Sequence, residues 1–358
     1  MRAHADGFLY PSVDMSLCVE CGLCERVCPM LYKKVRESGE PSACAFKSND
    51  ENLRRESSSG GAFTEIAKLV LREGGAVFGA AFDAEFDVKH ILVETEQELA
   101  RLRGSKYTQS EIGDCYRLAQ ELLKAGRRVL FSGTPCQISG LYAYLQKEYD
   151  NLITVDFICH GVPSPAVWRR YVAYRTAQVG GEKPTVVSFR EKSGGWKNYR
   201  MYFSFENGKI YKKPHYDDDM MRAFLQDLCL RESCYSCAFR GEDRPSDITL
   251  ADFWGIGAVI PNFDDDRGAS LVLLNSEKGR VLFSSVSASG TVAEVDSSQA
   301  LTQNPAYFRS PAHPAAREAF MADVMQDDFA VAVKRHCKSP RFAILRKFKR
   351  LLKRILRR

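Results

Sequence analysis

Several features common in other proteins are missing from this sequence. Residues 1–17 contain no apolar segment of the kind that forms a signal peptide. No uninterrupted run of about eighteen apolar residues is present, so no membrane-spanning helix is predicted. Neither a G-x-G-x-x-G nor a Walker motif occurs, which argues against a standard dinucleotide-binding fold. These absences favour a cytoplasmic protein.

A basic surface is also missing from most of the chain, although the net charge is +6. Residues 341–358 contain nine Lys or Arg and no acidic residue. The remaining 42 basic residues are balanced by 45 acidic ones, which leaves a net charge near −3 on the rest of the chain. Binding of nucleic acid is therefore not predicted, because it requires a basic face on the body of the protein.

The basic segment 341–358 has the pattern of an amphipathic helix. Its apolar residues recur at steps of three and four, namely Ile344, Leu345, Phe348, Leu351, Leu352, Ile355 and Leu356. A basic helix of this kind lies among lipid headgroups, where each cation near an anionic leaflet contributes ~1 kcal/mol. We expect this segment to hold the protein at an anionic membrane surface, on the inner face of the membrane. The alternative is packing against the core or a partner protein.

The chain is unusually rich in cysteine. The chain has 358 residues, of which 12 are cysteine, 45% are hydrophobic and 27% are charged. This length predicts one main domain with a small appendage. In a reducing compartment, thiolate–metal chemistry is favoured over disulfides.

Four cysteines near the N-terminus have the spacing of an iron–sulfur site. Cys18, Cys21, Cys24 and Cys28 form the pattern C-x2-C-x2-C-x3-C, and Pro29 follows directly. This is the bacterial ferredoxin signature for a 4Fe–4S cluster. A disulfide knot or a zinc knuckle is the alternative. The motif predicts a protein that transfers electrons.

The ferredoxin motif is incomplete by the standard of two-cluster ferredoxins. In those proteins the fourth cysteine of each run binds the other cluster. Here no cysteine precedes Cys18, so either Cys28 completes a single cluster or a first half-domain is missing. We expect the latter, from a start codon placed too late or from a split gene. Cys44 is a possible substitute ligand.

The rest of the chain predicts an α/β fold, a mixed sheet flanked by helices. We expect a partial ferredoxin-type domain over 1–35, a linker over 36–59, a main domain over 60–330 and the tail helix over 341–358. Strands are predicted over 76–82, 88–94, 128–133 and 152–159, and helices over 62–72, 96–102, 115–124, 137–148 and 166–177. Later segments predict antiparallel strands, including a hairpin at Asn207–Gly208.

Four cysteines of the main domain fit a second cluster. Cys136 begins a helix after one strand, and Cys159 ends the next strand. Parallel strands would bring both to the carboxyl edge of the sheet, where such folds place their sites. Cys234 and Cys237 form a C-x2-C pair, which makes four ligands. The alternatives are buried apolar roles for the first two and half a zinc site for the pair. Cys229, near the pair, is a weaker candidate.

Together these segments resemble the beta subunit of the coenzyme F420 (deazaflavin) hydrogenase/dehydrogenase family. The landmarks are ESSSGG, VFGAAFD, LRGSKYTQS, GRRVLFSGTPCQISGL, ICHGVPSP, CYSCAFRG and SDITLADFWG. The chain looks closest to the bacterial branch, whose members often accompany enzymes of polysaccharide assembly. The resemblance implies FAD beside a 4Fe–4S cluster. It implies the same four main-domain cysteines as ligands and flavin contacts from Ser58, Ser59, Gly60, Gly61, Ser105, Lys106, Tyr107 and Thr134.

The resemblance implies an oxidoreductase. FAD would exchange electrons with one or two 4Fe–4S clusters and a hydride with a small organic substrate or a deazaflavin cofactor. A redox partner protein or the substrate would be the physiological partner. His160, next to Cys159, is the candidate for proton transfer, although a lone histidine is more often structural. The alternative is a non-enzymatic electron-transfer or scaffolding subunit whose clusters are structural.

Overall fold

The computed structural model describes residues 1–31, 41–326 and 328–338. The tail helix expected over 341–358 lies outside these residues. The strands are β1 Arg2–Ala3, β2 Leu9–Tyr10, β3 Ser42–Ser48, β4 Ala76–Phe82, β5 Val88–Val93, β6 Val129–Ser132, β7 Leu152–Phe157, β8 Pro184–Glu191, β9 Arg200–Phe205, β10 Ile210–Pro214, β11 Ile248–Asp252, β12 Ser270–Leu274 and β13 Gly290–Val295.

The helices connect these strands and cover both faces of the main sheet. They are α1 Leu23–Arg26, α2 Glu51–Glu56, α3 Ala62–Arg72, α4 Leu99–Leu102, α5 Cys115–Lys124, α6 Pro135–Leu145, α7 Pro165–Gln178, α8 Asp219–Leu225, α9 Ile256–Val259, α10 Glu277–Val286, α11 Ser297–Leu301, α12 Arg317–Gln326 and α13 Phe329–His336. Short 3₁₀ turns span Glu232–Ser236, Pro261–Phe263, Ser287–Ser289 and Pro305–Tyr307.

The main sheet has eight strands in the order β13-β3-β12-β11-β7-β6-β4-β5. Strands β4, β6, β7 and β11 are parallel, and antiparallel strands flank them on both sides. The predicted mixed α/β fold is therefore confirmed. The parallel pairing of β6 with β7 is confirmed as well, and it brings the residues that follow these two strands to one edge of the sheet.

Side chains alternate between two apolar layers because successive residues of a strand face opposite ways. On β4, Val77 joins the layer beneath α3 and α10, whereas Phe78 joins the layer beneath α5 and α6. A third core lies outside the main sheet, where α7, α8, α12 and α13 pack against the antiparallel sheet β10-β9-β8. This second sheet includes the hairpin predicted at Asn207–Gly208.

The linker expected over 36–59 is wrong where the structure describes it. Residues Ser42–Ser48 form β3, which pairs with β12 on one side and β13 on the other. Ala45 and Phe46 are completely buried in it. Helix α2 follows and is capped by Asp50, whose carboxylate accepts hydrogen bonds from the N–H groups of Asn52 and Leu53. The main domain therefore begins before residue 60.

The N-terminal segment is attached to the main domain at one place and is exposed beyond it. Phe8 is completely buried, and Ser164 Oγ donates a 2.6 Å hydrogen bond to the carbonyl of Asp6. Farther along, Leu17 and Val19 are about four-fifths exposed. Within the described part of the chain, every helix is too short or too polar to cross a membrane.

Candidate functional site

Four cysteines from three separate elements meet at the carboxyl edge of the main sheet. Cys136 is in the first turn of α6, and Cys159 follows β7 by two residues. Cys234 lies in the 3₁₀ turn Glu232–Ser236, and Cys237 ends that turn. The loop after β7 approaches the turn closely, since a side chain at Gly161 would lie 3.4 Å from Cys234 Cβ. The fold thus brings together the four main-domain cysteines singled out in the sequence.

These sulfur atoms are close enough to raise one another's pKa. Burial raises the pKa of the Cys159 thiol, and the nearby thiols of Cys234, Cys136 and Cys237 raise it further. Burial also raises the pKa of Cys234 to about 11, with smaller contributions from Cys136 and Cys237. Four thiolates could not share this space without a cation, because each disfavours the charge of the others. The donor set therefore fits a cationic iron centre.

The spacing of the sulfur atoms argues against a zinc ion held by three or four of these cysteines. Tetrahedral zinc holds its thiolates at about 2.3 Å, which places the sulfur atoms roughly 3.8 Å apart. Among residues 1–31, 41–326 and 328–338, the group close enough to bind one ion, with all ligand atoms within 4.8 Å, contains no cysteine. It consists of exposed Glu232, His313 and Glu318, and Arg317 pairs with both glutamates.

The N-terminal cysteines lie on an exposed loop. Cys18, Cys21 and Cys24 are exposed, and Cys28 is partly buried. Gly22 begins α1 in the left-handed conformation, with φ 66°, which allows the loop to reverse within the motif. The suggested substitute ligand Cys44 is wrong for this cluster, because it is buried in β3 between β12 and β13.

Helix α6 connects the two groups of cysteines. Its first turn contains Cys136, and its outer face borders a half-open cavity of about 430 Å³. The N-terminal segment closes the other side of this cavity, which is lined by Leu23, Arg26, Val27, Ser139, Tyr142, Ala143 and Gln146. A helix rises 1.5 Å per residue, so Cys136 and Ala143 are about 10 Å apart along it. Cys136 therefore begins the same short helix whose later residues face the N-terminal segment across the cavity.

The loops proposed to bind flavin contact one another. Ser58 Oγ and Ser105 Oγ are hydrogen bonded at 2.7 Å, which joins the ESSSGG loop to the LRGSKYTQS loop. Half-buried Tyr107 stacks on Phe224, with ring centroids 4.8 Å apart. The first turn of α3, which follows Gly61, has no side-chain cap.

Several of the proposed flavin residues already have internal partners. Ser59 Oγ donates to the carbonyl of Ala269 at 2.6 Å, and the Gly60 N–H donates to Ser270 Oγ at 3.0 Å. A side chain at Gly60 would lie 2.2 Å from the Phe46 carbonyl, so glycine is needed there for close packing of the backbone. Lys106 donates to three carbonyl oxygens at 3.0–3.3 Å, and burial lowers its pKa to about 7.

The same loops reach the main-domain cysteines. Thr134 caps α6, and its Oγ1 lies 3.0 Å from Cys136 Sγ. Gln137, next in the helix, donates to Ser110 Oγ at 2.9 Å, and the Gln109 N–H donates to the carbonyl of Pro163. The turn before α6, the loop after β7 and the LRGSKYTQS loop are therefore one continuous surface.

Two family models match the body of the chain. Both describe the beta subunit of coenzyme F420 hydrogenase/dehydrogenase: the model of its C terminus matches residues 126–299, and the model of its N terminus matches residues 43–115. Together these matches span more than half of the chain. The chain belongs to the coenzyme F420 hydrogenase/dehydrogenase beta-subunit family. The predicted family is therefore confirmed. A 4Fe–4S binding domain model matches residues 11–30, which include all four N-terminal cysteines.

Thirteen chains of solved structures are similar to this beta-subunit family member. One belongs to the F420-reducing [NiFe] hydrogenase complex of Methanosarcina barkeri, studied as a xenon derivative. It shares 17% identity with a TM-score of 0.48, and the match covers 83% of this chain and 93% of that one. Among curated proteins, none matches this chain.

His160 has a carboxylate partner in this family member. Its Nε2 lies 2.6 Å from Asp227 Oδ1, and its ring packs edge-on against Phe224 at 5.3 Å. Phe224 also stacks on Tyr107, so His160 lies between the cysteines and the aromatic surface. A role for His160 in proton transfer remains a prediction.

Three charged or titratable residues at this site were missed in the sequence. Arg240 donates to the carbonyl of His160 at 2.7 Å, and its charge opposes the rise in pKa of Cys159 and Cys234. His90 lies beside the turn before α6, and burial lowers its pKa to about 4. The only available signal for Arg240 was its place in CYSCAFRG.

Lys192 is the third missed residue, and it supports the ESSSGG loop. Its ammonium donates to the carbonyls of Arg54 at 2.7 Å and Ser59 at 3.3 Å, and to that of Arg267 at 2.8 Å. Burial lowers its pKa to about 7. Nothing in the local sequence could have revealed this role, because the partners lie more than a hundred residues before it or some seventy residues after it.

Proposed function

We propose that this chain is an iron–sulfur flavoprotein subunit that passes electrons between 4Fe–4S clusters and FAD, and from FAD to a small organic substrate or deazaflavin cofactor. The observation that carries the proposal is the meeting of four cysteines from three elements beside the surface formed by Ser58, Ser105 and Tyr107. In this scheme Cys18, Cys21, Cys24 and Cys28 hold one cluster, and Cys136, Cys159, Cys234 and Cys237 hold the other.

The surroundings of the second group of cysteines suit a redox centre. When bound, a 4Fe–4S cluster supplies one-electron chemistry and a flavin couples it to two-electron chemistry. The chain would contribute Arg240 as a fixed cation near the thiolates. Helix α6 would provide a short path for electrons from the N-terminal segment to the main-domain cysteines. His160, held by Asp227, would hold or release a proton beside the same surface.

Analysis of the cofactors tests this proposal. Protein purified without oxygen should be brown, contain about eight iron atoms per chain and release FAD on treatment with acid. A colourless, zinc-loaded protein without flavin would refute the proposal. Turnover with an artificial electron donor would distinguish an enzyme from a scaffolding subunit. A subunit whose clusters are only structural should show no turnover. If His160→Ala retains full turnover, His160 has no role in proton transfer.

We also propose that residues 341–358 attach the protein to anionic membranes. The proposal depends on the excess of basic residues and the spacing of apolar residues in that segment. The full chain should bind vesicles that contain anionic lipid, and added salt should weaken this binding. Removal of residues 341–358 should abolish it. Equal binding with and without the segment would contradict this proposal.

A further inference from the structure

We propose that Arg190 binds the flavin ring through the Nε and Nη2 edge of its guanidinium, an inference that rests on the proposed function. The Arg190 side chain is only 3% exposed. Its Nη1 pairs with Asp252 Oδ2, whereas Nε and Nη2 are buried with no hydrogen-bond partner among the residues that the structure describes. Leaving two buried donors without acceptors is costly, so this edge is expected to meet acceptors on a ligand.

The local backbone explains why this arginine faces inward. In a regular strand, adjacent side chains face opposite sides, yet Phe189 and Arg190 are both buried. The pairing of β8 with β9 is irregular between Ser188 and Glu191, as at a β-bulge. Bulges redirect a side chain and are common beside active sites. The inward position of Arg190 is therefore built into the strand.

Arg190 lies near Tyr107 of the proposed flavin surface and contacts two further aromatic rings. Its guanidinium is 4.5 Å from the ring centre of Tyr199 and 5.4 Å from that of half-buried Trp254. Burial acts against the positive charge of Arg190, but Asp252 and the nearby Tyr107 raise its pKa above the ordinary value. Asp252, its partner, ends β11 opposite Ser270, whose hydroxyl accepts from the Gly60 N–H. The unpartnered edge is thus at the sheet edge beside both loops.

The chemistry of the free edge indicates what it binds. Nε–H and Nη2–H of a guanidinium are parallel and coplanar, and they match two adjacent acceptors in one plane. The pyrimidine edge of a flavin presents such a pair, a ring nitrogen beside a carbonyl oxygen, and the aromatic neighbours suit a flat ring. Ser59 and Lys106 of the neighbouring loops, by contrast, donate to backbone carbonyls. Arg190 keeps two donors that no described residue uses.

The test compares Arg190→Gln with the wild-type chain, with both clusters intact and FAD added back. Glutamine can still pair with Asp252 but has no second donor edge. The dissociation constant for FAD should rise at least tenfold, and the midpoint potential of bound FAD should become more negative, because the reduced ring loses donors. Arg190→Lys keeps the cation but lacks the planar edge, and it should show the same two changes.

Arg175→Lys is the matched control. Arg175 is equally buried, has an Nε without a partner in the described part of the chain and packs over Tyr211 at 3.9 Å, but it lies in the third core, paired with Asp219. The Arg175→Lys variant should have lower thermal stability than the wild-type chain, but the same affinity for FAD and the same FAD midpoint potential. If both Arg190 variants keep wild-type affinity and potential, the inference about Arg190 is wrong. If the wild-type chain itself binds no FAD, the proposed function fails instead.

Discussion

The two groups of cysteines in this chain are organised in opposite ways. The N-terminal four lie within eleven residues of sequence on an exposed loop. The main-domain four span about a hundred residues and meet only because β6, β7 and the turn Glu232–Ser236 end at one edge of the sheet. In the first group the local spacing defines the site, whereas in the second the fold defines it.

In the N-terminal group the cluster is expected to order the protein, whereas in the main domain the protein is expected to shape the environment of the cluster. An exposed loop with few buried residues gains its order from the bound cluster. A site built on buried strands and helices is ordered before metal arrives, and its environment can adjust the redox potential. The comparison therefore predicts different responses to mutation, chelation, acid and loss of charge.

The largest expected effect comes from loss of single ligands. Serine at Cys136, Cys159, Cys234 or Cys237 should each remove the same cluster, about four iron atoms per chain. Cys24→Ser should remove the other four and leave the main-domain cluster intact. Iron and acid-labile sulfide are the measurements, with Cys229→Ser and Cys337→Ser as buried controls that keep all iron. Iron loss in Cys229→Ser but not in Cys159→Ser would show that the ligand set is wrong.

Chelation should distinguish the two clusters by rate. Iron should leave the wild-type protein in two phases, the first at least tenfold faster, because three of the four N-terminal cysteines are exposed but only Cys136 of the main-domain four is. Cys24→Ser should lack the fast phase and Cys159→Ser the slow one. Removal of iron over time by a colorimetric chelator, without oxygen, is the measurement. A single phase in the wild-type protein would contradict the contrast between the regions.

Acid should weaken the main domain through His90. Burial lowers the pKa of His90 to about 4, so the unfolded chain binds a proton near its ordinary pKa of about 6.5 while the folded chain does not. Above pH 6.5 His90 therefore does not lower the free energy of unfolding. As the pH falls from 6.5 toward 4, protonation of His90 in the unfolded chain lowers that free energy. Between pH 7 and pH 5 the loss should be about 2 kcal/mol.

Denaturant unfolding of His90→Gln at both pH values checks this prediction. The variant should lose about 2 kcal/mol less than the wild-type chain between pH 7 and pH 5. His313→Gln, at an exposed position, is the control and should follow the wild-type chain. If the stability of His90→Gln depends on pH as that of the wild-type chain does, His90 is not the cause of the loss of stability in acid.

The smallest expected effect is a shift in cluster potential. Arg240 lies near Cys159 and Cys234, so Arg240→Gln should make the potential of the main-domain cluster more negative by tens of millivolts. The N-terminal potential should not change. Arg26→Gln is the matched control and should change neither potential, because solvent screens this exposed cation within the N-terminal motif. Redox titration followed by electron paramagnetic resonance would measure both potentials.

The sequence predicted the parts of the fold that depend on neighbouring residues. Helices over 62–72 and 115–124 and the strand over 76–82 have the predicted ends, because their apolar periodicity is strong and local. The cysteines were found because cysteine has few roles in a reducing compartment. Both inferences needed only short stretches of sequence.

What the sequence could not predict depends on distant partners. Strand β3 was read as part of a linker, since its neighbours β12 and β13 follow more than two hundred residues later. The burial of Arg190 could not be predicted from its neighbours in the sequence, because it depends on a bulge and on an ion pair with Asp252. Lys106 was predicted to face a ligand, yet it holds three backbone carbonyls.

The position of β3 also has a consequence for synthesis of the chain. Phe46 pairs with Val292, so the ribosome must add about 250 residues before this strand is enclosed on both sides. At roughly 5–20 residues per second, its apolar side chains stay unpaired for about 12 to 50 seconds, and unpaired apolar strands are prone to aggregate. The cysteine loop before it emerges earlier and depends on no later strand. Iron–sulfur assembly there can precede the folding of the sheet.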